Sequence, residues 1–292
     1  LPQADGSSPG RCCSVLRARS SSSSTTDSHA TPSRDSCSRR RLANSVRARI
    51  DLAVVSVLLD AGAGTKWVYH DATTDLNLGR SEGLALASLR IFEAGMLSSH
   101  GSEEPLRVDA GALESLRYDA MAEALQASNE NPLIGLPQRV KLLAKLGKAL
   151  RRHPEVFGKG IDARPGHLFD YLKARANNNK IPARDILLAL LNFLGEIWPS
   201  GKWIGSTCVG DIGYHSLIRR NDETDKIVPF HKLSQWMAYS LIEPLEDADI
   251  TVVSPDALTG LAEYRNGGLF IDTGVLKLKD PDQLTKLHAL DS

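Results

Sequence analysis

The sequence contains no GxxxxGK[ST] loop, no HExxH, no CxxC and no GxSxG. P-loop phosphate binding, zincin hydrolysis, dithiol redox chemistry and the nucleophile elbow of α/β hydrolases therefore lack their usual residues. Cysteine is scarce. Of four, Cys12, Cys13 and Cys37 fall near the start and only Cys208 lies further on. No disulfide framework and no cysteine zinc site can be built from that set, which points to a reducing compartment, the cytoplasm. No apolar run reaches the ~18 residues of a membrane span. The longest candidate, LAVVSVLLDAGAG, is interrupted by Asp60 and reads as a core helix. The glycines of its DAGAG end follow a helix rather than a strand, the wrong context for a dinucleotide loop. Residues 1–49 lack Lys and Glu but hold nine Arg and three Asp, a net charge of +6. The remainder carries 26 basic and 32 acidic residues, a net charge of −6. A mildly acidic body argues against a dedicated nucleic-acid binder, whose footprint would be a basic face.

What is present is enough apolar patterning for one large or two modest domains in 292 residues, 42% of them hydrophobic. Residues 1–43 form a Ser- and Arg-rich stretch without apolar periodicity, which reads as a disordered tail. The same composition fits an organelle transit peptide, and a misassigned first exon is a third reading, since the chain begins with Leu1. From Asn44 to Ala61, Val46, Ile50, Val54, Val57 and Leu58 recur at helical spacing. KWVYHD (66–71) alternates as a short strand, and KWIGST (202–207) is its expected partner. A helix follows Arg80, with Ser81 as N-cap and Glu82 in its first turn. Another spans Gly111 to Ala127 behind the candidate cap Asp109. Pro137 opens a helix running to Arg152, whose basic end suits the macrodipole. Shorter helices are expected from Gly166 to Ala176, from Pro182 to Pro199, and after Asp280-Pro281. The fold class is mainly α with one or two short strand pairs, as a single compact helical domain from residue 44 to 292.

The stretch from Val228 to Leu276 concentrates the candidate chemistry. In VPFHKLSQWMAYSLIEPLE, Leu233, Met237 and Leu241 mark an apolar stripe, while His231 and Gln235 share one flank. Lys232, Trp236, Ser240 and Glu243 share another, as on a helix set between a core and a polar cavity. In LTGLAEYRNGGLFIDTGVL a short helical turn is expected to end at Arg265. Asn266-Gly267-Gly268 then reverses the backbone and leaves Glu263, Tyr264 and Arg265 on a tight exposed corner. GDIGYH (210–215) places Asp211 and His215 on a glycine-flanked loop, where a turn-forming Asp is the plainer reading. His231, Lys232 and Gln235 read equally as groups that satisfy buried backbone, and Glu263 with Arg265 as a local ion pair. The clustering of so many polar groups that are costly to bury favours a site.

These residues also carry a resemblance. RARIDLAVVSVLLDAGAG, RSEGLALASL, ENPLIGL and the two long motifs resemble the uracil catabolism protein 4 family, from about Arg47 to about Lys279. The resemblance implies a part in a route that opens uracil, after its conversion to a nucleotide, and releases urea. It also implies that members extend further at both ends, so the chain is expected to be truncated at its C-terminus. More distantly, Phe230, Lys232 and Gln235, with Leu258 to Arg265 and Gly274-Val275-Leu276, are similar to two segments of the queuosine-salvage N-glycosidases. Those have a helical fold like the helix-hairpin-helix DNA glycosylases. That likeness puts Glu263 at the position of a site Asp, and Ser240 where those enzymes have a second acid.

The expectation is therefore an N-ribosyl hydrolase with Glu263 as the catalytic carboxylate. His231, Lys232, Gln235, Tyr264, Arg265, Asn266 and Asp211 are the expected substrate-binding residues, with Asp211 and Glu243 as the alternative acids. No metal or other cofactor is required, and the ligand is a nucleoside- or nucleotide-derived small molecule, with no nucleic acid or membrane as partner. A non-catalytic binding or scaffold protein of the same pathway is the alternative, and DNA repair a third option that the acidic body disfavours.

Overall fold

The apolar spine of the fold is α1 (Arg34–Leu59). Val46, Ile50, Val54, Val57 and Leu58, at the expected spacing, are all buried. The helix begins at Arg34, earlier than the expected start at Asn44. The structure is a computed structural model and describes residues 34–199, 201–261 and 264–279, with the backbone alone for 34–40 and 264–266. The rest of the tail and the expected helix after Asp280-Pro281 lie outside the described residues.

Next come β1 (Val68–Asp71) and β2 (Leu76–Gly79), an antiparallel hairpin with Val68 opposite Gly79. Then follow α2 (Arg80–Glu93), α3 (Ala110–Ser115), α4 (Tyr118–Ala124), α5 (Leu136–Arg152), α6 (Pro154–Phe157) and α7 (Leu168–Lys173). A short strand β3 (Lys180–Pro182) leads into α8 (Ala183–Leu194). Two small hairpins come after it, β4 (Trp203–Ile204) with β5 (Thr207–Cys208), and β6 (Gly213–Tyr214) with β7 (Ile227–Val228). The chain continues through α9 (Lys232–Ser240), α10 (Ile242–Glu246), β8 (Thr251–Val253) and α11 (Tyr264–Asp272). β8 runs parallel to β3, Ile181 opposite Val252, and so ties the entry of α8 to the exit of α10. The mainly α class with short strand pairs is as expected.

Several boundaries differ from expectation for local reasons. KWVYHD does not pair with KWIGST; each closes on its own neighbour, since a short loop loses less chain entropy than a distant pairing. Asp71 fastens the first hairpin, accepting from Thr74 N at 3.2 Å and Oγ1 at 2.7 Å and from Arg90 Nε at 2.7 Å. Ser81 does not cap α2; Gly79 is the N-cap, and the Ser81 hydroxyl donates to Asp60 at 2.8 Å. Asp109 does cap α3, accepting from Ala112 N at 3.1 Å. The helix expected from Gly111 to Ala127 breaks at Leu116, where the backbone turns extended (ψ 122°) and the Ser115 hydroxyl takes the Gly111 carbonyl at 2.8 Å.

Two buried cations bind the core together. Asp51 on α1 is wholly buried and accepts from Arg164 Nε at 2.9 Å, Val108 N at 3.1 Å and Gly166 N at 2.6 Å. Burial pushes this carboxyl up, against the pull of Arg164 and the two amides. Among the described residues, Arg139 on α5 hydrogen-bonds to carbonyls and to no carboxylate. It donates to the carbonyls of Leu59 at 2.9 Å and Ala61 at 2.6 Å, and to that of Ile134. A guanidinium at the C-terminal end of α1 satisfies carbonyls the helix leaves open and suits its dipole.

The chain divides into two compact units between Thr259 and Gly260. Among the described residues Leu258 is the last to join the apolar core, and Gly260 follows with open space where a Cβ would lie. In the second unit α11 corrects the expected reversal at Asn266-Gly267-Gly268, because the helix runs straight through those residues. Glycine permits the left-handed region without requiring it. The terminator is Gly274 (φ 75°), with Gly274 N donating to Ile271 O at 3.0 Å and Leu276 N to Phe270 O at 2.9 Å.

Candidate functional site

The described part of the site is built at the start of α9. His231 precedes the helix in a left-handed conformation (φ 45°, ψ 41°), and its carbonyl accepts the first helical bond, from Gln235 N at 2.7 Å. That conformation aims the open amides of the first turn at the loop carrying Asp211. Asp211 Oδ2 accepts from Leu233 N at 2.7 Å and Ser234 N at 3.2 Å, and Oδ1 from the Ser234 hydroxyl at 2.5 Å. The Asp211 carbonyl also receives His231 N at 3.0 Å. Asp211 thus caps α9 from a distant loop, as an N-cap side chain would do locally. Trp198 Nε1 donates to Ser234 Oγ at 3.1 Å and completes a buried chain of hydrogen bonds.

The Asp211 carboxyl, 8% exposed, stays below the usual carboxylate range. Burial pushes it up, but the facing His231 ring, the Ser234 hydroxyl and the amides of Ser234 and Leu233 pull it down further. His231 Nδ1 stands 3.8 Å from Asp211 Oδ1, too far for a hydrogen bond and close enough for electrostatic contact.

Gln235, 4% exposed, is spent on the fold. Its Oε1 accepts from Thr259 N at 2.8 Å, and its Nε2 donates to Thr259 Oγ1 and to Phe230 O at 3.4 Å. Tyr239 Oη adds a bond to Thr259 O at 3.2 Å. Lys232 occupies the first position of α9, next to His231. Ser240 returns its hydroxyl to the Trp236 carbonyl at 3.0 Å, and Glu243 accepts from Arg49 at 3.0 Å. His215 is not gathered with Asp211; its Nδ1 accepts from Leu217 N at 3.2 Å in an exposed loop. Tyr264, Arg265 and Asn266 open α11, and Glu263 lies outside the described residues.

Sequence reasoning had not singled out Ser234 or Trp198, and had Thr259 only within the segment similar to the N-glycosidases. Ser234 carries a local signal, as a hydroxyl in the first turn of a helix. Trp198 and Thr259 carry none, because their partners lie 36 and 24 positions away. Among the described residues no three His, Cys, Asp or Glu side chains converge as metal ligands. None of the helices described is long and apolar enough to cross a membrane.

The class is that of a mainly helical protein whose polar cluster joins a helix start to a remote loop carboxylate, without a phosphate-cradling loop. The chain belongs to the family described as "Protein of unknown function (DUF1688)", which matches residues 26–292. It is 40% identical over 253 residues to "Uracil catabolism protein 4" of Lachancea kluyveri, covering 80% of this chain and 55% of that protein. It is also 40% identical over 232 residues to "Protein urg3" of Schizosaccharomyces pombe, covering 79% of this chain and 53% of the relative. The likeness to the uracil catabolism protein 4 family is thereby borne out. The chain spans about half the length of these curated relatives.

Proposed function

We propose that the protein acts in uracil catabolism as an N-ribosyl hydrolase, releasing urea from a ribosylurea-type intermediate or its phosphate in the cytoplasm. The observation that carries the pathway is the 40% identity to a protein named for uracil catabolism. The chemistry rests on Glu263. Cleaving an N-glycosidic bond builds positive charge at the anomeric carbon, and a carboxylate beside it stabilises that charge and orients water. Thr259 is clamped to α9 by Gln235 and Tyr239. Arg265 or Lys232 would hold a phosphate or the urea carbonyl, Arg being suited to bidentate contact. His231, Tyr264 and Asn266 would complete the contacts to a small molecule, with no nucleic acid or membrane as partner. Asp211 and Gln235 support the site by fixing α9 and Thr259 rather than by binding substrate.

The test is to incubate the purified full-length protein with ribosylurea and with its phosphate and to assay free urea. Release from either supports the reading. A folded sample that yields none from both rejects it. The second reading, a non-catalytic binder of the pathway, is favoured by one observation: Asp211, Gln235 and Ser240 are all engaged in holding the fold. A melting temperature raised by UMP or ribosylurea phosphate without turnover would select the binder.

A further inference from the structure

The break between α3 and α4 opens a cleft in the first unit. The chain turns extended at Leu116 (ψ 122°) and restarts as a helix at Tyr118. Between these two helices and the loop after α2 lies a cavity of about 450 Å³, within the range that holds a small molecule. Met96, Ala112, Leu116 and Ala120 form its apolar wall. Its polar side is Ser98, Ser99, Ser115 and Arg117, and no carboxylate lines it. Two of the three hydroxyls donate within the fold, Ser99 to Asp109 Oδ1 at 2.5 Å and Ser115 to Gly111 O at 2.8 Å. Ser98 differs. It is 7% exposed and its oxygen accepts from His100 N at 3.2 Å, but its hydroxyl hydrogen meets no acceptor among the described residues. A buried hydroxyl with an unused donor carries a cost that a bound acceptor removes. Arg117 is the one charge in the lining. Its side chain is 79% exposed, and its ion pair with Asp119, at 3.5 Å, is a loose one. The Asp109 carboxylate behind Ser99 is compensated by Arg107 Nε at 3.1 Å and by the amides of Ser99 and Ala112 at 2.9 Å and 3.1 Å.

We propose that this cleft binds a small organic anion, a carboxylate or phosphate head on a short apolar body. The head takes the Arg117 guanidinium, whose planar fork suits two acceptor oxygens, together with the Ser98 hydroxyl. The body lies against Met96, Leu116 and Ala120. A cation is disfavoured because the lining holds a positive charge and no negative one. A purely apolar ligand is disfavoured because it would leave the Ser98 donor unmet. The Ser99 and Ser115 oxygens, their protons already given, accept from any N–H or O–H that the ligand carries beside its head. The cleft shares no residue with the Asp211–Ser234 cluster, and the proposal does not rest on the hydrolase reading.

Calorimetric titration of the full chain with benzoate, phenyl phosphate and inorganic phosphate tests this. Saturable binding of benzoate or phenyl phosphate is expected, and the tighter of the two identifies the head. Arg117→Gln should weaken that binding about tenfold or more, the scale of losing a hydrogen bond to a charged group. Ser98→Ala should weaken it by a smaller factor, about fivefold, as a neutral donor is lost. Arg117 is exposed, so Arg117→Gln decides the matter should Ser98→Ala fail to fold. Inorganic phosphate bound as tightly as phenyl phosphate would overturn the apolar half of the assignment. An affinity unchanged in Arg117→Gln, or no saturable binding of any probe up to about 10 mM, overturns the site. Urea release is not part of the readout, so a failure of the hydrolase reading and a failure of this one are told apart.

Discussion

Gln235 grips Thr259 with both ends of its amide, Oε1 taking the backbone N–H at 2.8 Å and Nε2 reaching the hydroxyl. The two residues belong to the two long motifs that carry the family likeness. The grip fixes the last residue of the first unit onto α9, immediately before the segment that carries Glu263.

Gln235→Leu should therefore act on stability first. It keeps a side chain of similar length and leaves the Thr259 N–H without its acceptor, a loss of about 1–3 kcal/mol. Urea denaturation of the full chain reads this directly. If Gln235 were a substrate ligand and no more, the midpoint would not move.

Asp211 gives the fold a pH dependence whose sign is fixed. Its folded carboxyl sits below the ordinary value of 3.8, so between the two values the unfolded chain binds more protons and stability rises with pH. The contribution is complete above about pH 5 and is lost as pH falls through the ordinary value towards the folded one. Asp211→Ala should cost about 1–3 kcal/mol near neutrality, through the uncapped helix and its buried donors. The gap between wild-type and variant melting temperatures should narrow from pH 6 to pH 3. A gap that widens on acidification would mean that the carboxyl is not held ionised by those donors.

The Asp51–Arg164 pair calls for two variants. Asp51→Ala alone strands a guanidinium that is 11% exposed and should cost about 3–5 kcal/mol. Asp51→Leu combined with Arg164→Met removes both charges and fills the space, and should recover much of that loss. A double variant no better than the single one would show that the Val108 and Gly166 amides, and not the charge, depend on Asp51.

What was legible in the sequence was what local chemistry dictates. The α1 stripe, the Asp109 cap and the openings of α5 at Pro137 and α8 at Pro182 each follow from a few neighbouring residues. What was not legible depended on partners far along the chain. Asp51 and Arg164 are 113 positions apart, and nothing near Asp211 announces that it caps a helix 22 residues on. Asn266-Gly267-Gly268 misled because glycine tolerates both hands of the helix, and only the left-handed Gly274 shows where α11 stops. Of the candidate site, the sequence set Asp211 beside His215 on one loop, whereas the fold turns it towards His231. The bonds of the Gln235 amide to Thr259, 24 positions on, were not legible either.

The last prediction separates chemistry from structure at Glu263. Glu263→Gln keeps size and hydrogen-bonding capacity and removes one negative charge. If the carboxylate stabilises an oxocarbenium-like transition state, urea release should fall by about 10²-fold or more, the scale of losing one preorganised electrostatic group. Stability should then change little, because no apolar volume is removed and no cavity is made. If Glu263 serves only as a structural counter-ion, the pattern inverts. Activity per folded molecule stays near wild type, while stability drops by up to ~3 kcal/mol or more as a buried cation loses its partner. Turnover and denaturation measured on one preparation distinguish the two. A fully active Glu263→Gln would remove this carboxylate from the mechanism and leave Asp211 and Glu243 as the remaining acids. Since Glu243 is bonded to Arg49 and Asp211 to the start of α9, that outcome would favour the binding protein over the hydrolase.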